Sequence, residues 1–237
     1  MGFVAFIKSF LYFNPWFEDD IIILDMGLSD RTKASIKAYY SKIIFMQAKA
    51  NNYKAIDMRI TPDCLKKTYY KLEVFGITGY DRIVALDMDM IVLGDLSELF
   101  NCEKPFAAVL GYNAHYDDLR TDINSGVFVV NKEYLTEEHY RNILRIAGHG
   151  YSLPDQKVIN KYFKNKIHHL PKIYNVEKRM AYTKKYDKEF KQAQIIHYVG
   201  RKPWEDHKTF PESELIYKSV EEIWNYWYNM EPNDGKN

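Results

Sequence analysis

From Arg82 to Leu93 the chain reads RIVALDMDMIVL, an apolar run broken after its first residue only by two carboxylates one position apart. An extended strand alternates its side chains between two faces, so Asp87 and Asp89 are expected to project to the same side. Two like charges in an apolar setting repel strongly unless a divalent cation or a shared proton offsets them. The run therefore predicts a metal site at the end of a buried strand. Asp-x-Asp also occurs in solvated turns, and the flanks argue against that reading. Ile83 to Leu86 and Met90 to Leu93 form the continuous hydrophobic pattern of a strand buried on both faces of a parallel sheet.

Strand and helix patterns alternate along the rest of the chain. Gly2 to Phe13 reads as a buried amphipathic helix ending before Pro15. Ile21 to Leu24, Ile43 to Met46, Phe106 to Leu110, Gly126 to Val130 and Ile195 to Tyr198 read as strands. Helices are expected over Arg31 to Tyr40, Cys64 to Phe75, Glu137 to Ile146, Asp155 to Phe163 and Glu212 to Asn229. This order predicts an α/β architecture, Rossmann-like, with a mostly parallel sheet flanked by helices. Ligands of such sheets gather at the carboxyl ends of the strands, where Asp87 and Asp89 lie.

At 237 residues and 46% apolar content, with no Pro/Gly-rich linker, the chain is expected to form a single domain. Its 33 basic and 32 acidic residues are spread throughout, which argues against nucleic acid as a partner. Two cysteines, Cys64 and Cys102, lie far apart and fit a reducing, cytoplasmic setting as free thiols. The apolar start, Gly2 to Phe17, lacks a basic leader and a small-residue cleavage site, and Lys8 interrupts it. It is also shorter than the ~20 residues a transmembrane helix needs. The expectation is a soluble protein, at most peripheral to the inner face of a membrane.

Three polar segments adjoin apolar ones. In DINSGVFVVN, Asn124 and Ser125 can hydrogen-bond hydroxyl groups without adding charge, and Gly126 permits close backbone approach; both suit a sugar, although a plain turn into a strand explains the same letters. In LPDQ, Asp155 either favours a helix start or, beside Gln156, recognises sugar hydroxyls. In IHYVGRKPW, His197 ends a strand and is a candidate third metal ligand. Gly200, followed by Arg201 and Lys202, suits a diphosphate.

Taken together, ALDMDMIVLGDLSELF, INSGVFVVN, LPDQ and HYVGRKPW resemble, in this order and spacing, the family 8 glycosyltransferases, from about Gly2 to Trp204. The resemblance implies a GT-A fold over 1–204 with a C-terminal helical extension over 205–237. It also implies a UDP-sugar donor, a manganese or magnesium ion, and transfer of glucose or galactose with retention to a glycan or glycoconjugate acceptor. Asp87, Asp89 and His197 match the metal ligands, Gly200 and Lys202 the diphosphate segment, and Met88 the backbone position near the ribose. Lys71 matches a lysine between the phosphates and the donor sugar. Asp122, Asn124, Asp155 and Gln156, with Ser125 beside them, match positions that grip that sugar. The same resemblance implies a first strand preceding Gly2, so the chain as given is expected to bind UDP weakly.

Two other readings stand beside this one. An apolar strand ending in Asp-x-Asp also presents the nucleophile of haloacid-dehalogenase phosphatases, in which Asp87 would be phosphorylated. A catalytically silent domain, associating as a homo-oligomer or with another transferase through Ile223 to Tyr228 (IWNYWY), is the non-enzymatic reading, against packing of those rings on the sheet. An acceptor surface is expected from the loops Tyr112 to Arg120 and Lys172 to Lys188.

Overall fold

The structure is a computed structural model that describes residues 1–49, 67–148, 154–205 and 217–231. Helix α1 (Gly2–Phe13) buries Ala5, Phe6, Ile7 and Phe10. Its polar residues do not interrupt that burial, because each satisfies a backbone group. The Ser9 hydroxyl donates to the Phe6 carbonyl at 2.9 Å and accepts the Val92 N–H at 3.1 Å. Asn14 accepts the Leu96 N–H at 2.7 Å. Lys8, which breaks the apolar pattern in the sequence, donates to the carbonyls of Tyr228 and Met230 at 2.8 and 2.6 Å. It thereby satisfies carbonyls left open at the end of the last helix.

Strands β1 (Ile21–Asp25) and β2 (Ile43–Gln47) form a parallel pair, joined through α2 (Asp30–Lys37), whose first turn Ser29 caps. The expected strand over Arg82 to Leu93 is in fact two. β3 (Arg82–Leu86) and β4 (Met90–Val92) belong to different sheets, and Asp87 to Asp89 form the bend between them. Two further helices, α3 (Ser97–Phe100) and α4 (Glu137–Gly148), flank β5 (Phe106–Asn113) and β6 (Asp118–Asn131), and α5 (Asp155–Tyr162) follows. The chain then passes through β7 (His168–His169), β8 (Val176–Glu177), α6 (Asp187–Lys191) and β9 (Ile195–His197) to α7 (Lys218–Asn229).

The α/β class holds, but the sheets are mixed rather than mostly parallel. The four-stranded sheet runs β3-β6-β5-β7 and the three-stranded sheet β4-β9-β8. Within them β3/β6, β5/β6 and β4/β9 are antiparallel, while β5/β7 and β8/β9 are parallel. β3, an edge strand among the described residues, is half-buried along its length, whereas β4 is fully buried. The expected helix over Cys64 to Phe75 falls outside the described residues at its start; its remainder is a 3₁₀ helix, Lys67–Gly76. The closing helix is described only from Lys218. Cys102 carries a free thiol, and Cys64 lies outside the described residues.

The C-terminal aromatics pack inward. Trp224 and Trp227 are buried, Trp224 against Trp204 and Trp227 against Tyr12 and Phe13, leaving Tyr226 exposed. IWNYWY is thus largely the seam between the first and last helices, not an open docking face. No helix among the described residues is long and apolar enough to cross a membrane.

A buried charge cluster fastens α7 to the rest. Lys178, Arg201 and Glu221 are all inaccessible; Lys178 donates to the Arg201 carbonyl at 2.7 Å and lies 3.5 Å from the Glu221 carboxylate, to which Arg201 also donates. Removing one partner of a buried ion pair leaves uncompensated charge. Glu221→Gln should therefore destabilise the protein by about 3–5 kcal/mol, seen as a lowered Tm in a thermal melt. An unchanged Tm would mean the cluster carries no such weight.

Candidate functional site

Asp87 and Asp89 come together because two sheets meet between them, not because they share one strand. The Asp87 N–H donates to the Gly126 carbonyl at 2.9 Å and prolongs the β3/β6 ladder; the Tyr198 N–H donates to the Asp89 carbonyl at 2.9 Å and prolongs β4/β9. Met88 is the odd residue at this seam and is exposed. His197, at the end of β9, is buried and turns its Nε2 to the seam, 3.3 Å from Asp89 Oδ1 and 3.7 Å from Asp87 Oδ2. The ligand atoms of these three residues lie within 4.8 Å of one another. Two carboxylates and an imidazole so placed fit one face of a divalent-cation shell of mixed oxygen and nitrogen donors.

Lysines balance the acids. Lys71, from the 3₁₀ helix, lies 2.7 Å from Asp87 Oδ1 and 3.8 Å from Asp155 Oδ2, and donates to the Ser125 carbonyl at 3.1 Å. Burial opposes its charge, but Asp87, Asp155 and Asp89 outweigh burial and hold its ammonium above the usual lysine range. Lys202 donates to Asp89 and, at 3.0 Å, to the Tyr198 carbonyl. Burial alone would raise the Asp89 carboxyl; His197 and Lys202 overcome it and hold it well below the ordinary carboxylate range.

Asp155 is buried at the first position of α5, where it caps nothing and instead accepts the Ser125 hydroxyl at 2.8 Å. Lys71 therefore joins the acidic seam to Ser125 and Asp155. Asn124 reaches the seam from the other face of β6, through Asn175. Gln156 stands next to Asp155, half-buried, its carbonyl accepting from Asn160 at 2.8 Å. Asp122 stands apart, its carboxylate paired with Lys157 at 2.8 Å.

The glycines and cations divide their work differently from the expectation. A Cβ on Gly126 would lie 2.8 Å from His197 Nδ1, so the close approach that this glycine permits is that of the histidine ring. Gly200 has φ +86°, a left-handed conformation that disfavours other residues, and a Cβ there would meet the Arg179 guanidinium at 2.7 Å. Arg201 is turned inward to Glu221 and away from the seam. Arg179, half-buried over Gly200 and without an ion pair among the described residues, occupies the place the sequence suggested for Arg201. Asn175 and Arg179 escape the sequence reading because β8 beside them is two residues long and carries no pattern, and the contact of Gly126 with His197 because it joins β6 to β9.

The two loops expected to receive an acceptor do meet. Asp117 accepts from the hydroxyls of Tyr112 and Thr183, at 2.8 and 2.7 Å, and Asp118 accepts from Tyr186 at 2.9 Å and lies 2.9 Å from Lys185. Lys185 and then Tyr186 draw the Asp118 carboxyl down to about 2. Most rings of these loops, Tyr112, Tyr174 and Tyr186, are buried; Tyr116 and Tyr182 are exposed.

Comparison with known proteins gives one consistent picture. The family model described as Glycosyl transferase family 8 matches residues 1–208. Human Glycogenin-2 is 35% identical over 157 residues, which is 62% of this chain and 29% of its own; the chain thus spans less than a third of that relative. Among solved structures, the glycosyltransferase GlyE of Streptococcus pneumoniae superposes with a TM-score of 0.70 at 20% identity, covering 97% of this chain and 58% of its own. The galactosyltransferase LgtC, solved with donor and acceptor sugar analogues, superposes at 0.64 and 18% identity over 98% of this chain and 94% of its own. The fold is that of the GT-A glycosyltransferases.

Gly126→Ala should push the His197 ring off the seam. The expected result is a folded protein destabilised by about 1–3 kcal/mol, with Mn²⁺ affinity by calorimetry reduced roughly 10–100-fold. Native affinity in the variant would contradict this account of the glycine.

Proposed function

The chain belongs to glycosyl transferase family 8, and from that membership we propose that it moves a hexose, glucose or galactose, from a UDP-sugar to a hydroxyl of a glycan or glycoconjugate, metal-dependently and with retention of configuration. The observation that carries this reading is the continuous network from Asp89 and His197 through Asp87 and Lys71 to Ser125 and Asp155. It sets a cation-binding cluster beside neutral and acidic hydrogen-bonding groups of the kind that recognise sugar hydroxyls.

Asp87, Asp89 and His197 would hold Mn²⁺ or Mg²⁺. When bound, such an ion supplies Lewis-acid stabilisation of charge on the departing diphosphate. Lys202 and Lys71, engaged with Asp89 and Asp87, would serve the same phosphates, and the Arg179 guanidinium over Gly200 would add a planar donor suited to them. Met88, exposed at the seam, offers its backbone to the ribose. Asn124, Ser125 and Asp122 are assigned to donor-sugar hydroxyls, with the Lys157 pairing of Asp122 opening to admit the sugar. We assign same-face attack to the transfer. The acceptor oxygen bonds to the anomeric carbon as the bond to the phosphate oxygen breaks; the electron pair of that bond leaves with UDP, and the acceptor's proton passes to the leaving phosphate oxygen. Asp155 and Gln156 stabilise positive charge on the ring in that transition state. The two exposed rings Tyr116 and Tyr182 are the stacking surface for the acceptor glycan.

The test is a screen of UDP-hexoses with Mn²⁺ for UDP release, with the anomeric configuration of the product read by NMR. Release should require the metal, and Asp87→Asn and Asp89→Asn should each lower it by roughly 100-fold or more, the scale of several kcal/mol. A folded protein that releases no UDP from any of these donors, or an adduct of the sugar on Asp155 or Gln156, would overturn the reading or its same-face step respectively.

A further inference from the structure

The least accessible polar group near the seam is Asn175, which is wholly buried. It lies between a sheet residue and a candidate metal ligand, and its orientation follows from fixed hydrogen-bond chemistry. The peptide N–H of Gly126 can only donate, so the Asn124 atom it meets at 2.8 Å is the amide oxygen. That oxygen also faces the Asn175 side chain at 3.0 Å, and two oxygens cannot share a hydrogen bond, so Asn175 presents its NH₂ there. Its own oxygen is consequently turned to His197 Nδ1, at 2.9 Å. An amide oxygen only accepts. Nδ1 must therefore carry a proton, and in the neutral ring Nε2 is left with a bare lone pair aimed between Asp87 and Asp89.

We propose that Asn175 is a positioning residue: held by Asn124 and the Gly126 peptide, it locks His197 in the Nδ1–H tautomer and so presents Nε2 to a divalent cation. The inference rests on reading Asp87, Asp89 and His197 as a metal centre within the function proposed above. Reversing Asn175 would set oxygen against oxygen at Asn124, and its NH₂ toward Nδ1 would demand the Nε2–H tautomer instead. Buried groups so mismatched pay their full desolvation cost, so the polarity of the chain runs one way. The relay also gives Asn124 a structural task apart from any sugar it contacts. The ring is located by the missing Cβ of Gly126, and its protonation by the N–H of the same residue.

The tautomer can be read directly on metal-free protein labelled with ¹⁵N-histidine, from ring nitrogen shifts and couplings at a pH where the ring is neutral, with His197→Gln to assign the signal. The native protein should show the Nδ1–H form. Asn175→Leu should lose that preference and bind Mn²⁺ roughly 10–100-fold more weakly by calorimetry. Asn175→Asp, which keeps an acceptor toward Nδ1–H but sets an oxygen against that of Asn124, should retain the tautomer with a lowered Tm. Asn124→Ala, which leaves Asn175 in place but removes the group that orients it, is the second variant and should populate both tautomers. An Nε2–H form in the native protein, or an unchanged tautomer in both Asn175→Leu and Asn124→Ala, would overturn the proposal. Because the tautomer is measured without metal or donor, a native Nδ1–H signal in a protein that transfers no sugar would count against the proposed function and leave the relay standing.

Discussion

The organisation of this molecule depends on a change of sheet in the middle of one apolar run. Up to Leu86 the chain pairs with β6; from Met90 it pairs with β9; and the three residues between cannot belong fully to either ladder. Each ladder nevertheless reaches one step into the gap, taking the Asp87 N–H on one side and the Asp89 carbonyl on the other. Both aspartates are thus held by the backbone at the one place where their side chains are not committed to a core. Everything else at the site is arranged around that seam. His197 comes from β9, Gly126 from β6 and Lys71 from the 3₁₀ helix packed beneath β6.

Crowding acids at such a place raises the free energy of the fold, and the surrounding residues show how it is contained. Lys71 and Lys202 neutralise one carboxylate each, and both keep polar backbone partners, so neither cation depends wholly on the acid it faces. A pair of this kind stabilises less than its Coulomb term suggests, since both groups lose water. Under the proposed function such pairs are exchangeable: a divalent ion held by the carboxylates would take over their compensation and leave the lysines to a diphosphate. Arg201 shows the contrasting use of a cation, enclosed with Glu221 and Lys178 to fix the last helix, where exchange would unfold the contact.

Much of this was legible in the letters. Runs such as Ile21 to Leu24, Phe106 to Leu110 and Ile195 to His197 are strands because their apolar content leaves few other ways to be buried, and the metal-site candidates follow from residue type and spacing. What was not legible is what depends on pairing across the chain. The run Arg82 to Leu93 reads as one strand because its hydrophobicity is continuous; only the partners, β6 for one half and β9 for the other, divide it. β6 begins at Asp118, eight residues before the apolar stretch, since its polar first half is held by pairing with β5 and not by its own composition. Arg201 departs from its expected place for the same reason: a cation beside a glycine looks like a phosphate ligand until Glu221, twenty residues on, claims it.

Gly126 draws these threads together. Its lack of a side chain reads in the sequence as room for a ligand, and the space is filled from within by an imidazole. That single absent methyl sets how closely β6 and β9 can face each other across the seam, and therefore whether the third candidate ligand, the imidazole, can reach the two acids at all. An alanine strand would still pair with β3 and still bury Val127 to Val130, so the fold tolerates the change where the site does not. The topology of the fold and the geometry of the seam thus separate at one position of one strand. Positions of this kind carry no mark in composition or periodicity, because the constraint on them is a distance to a residue seventy-one places away.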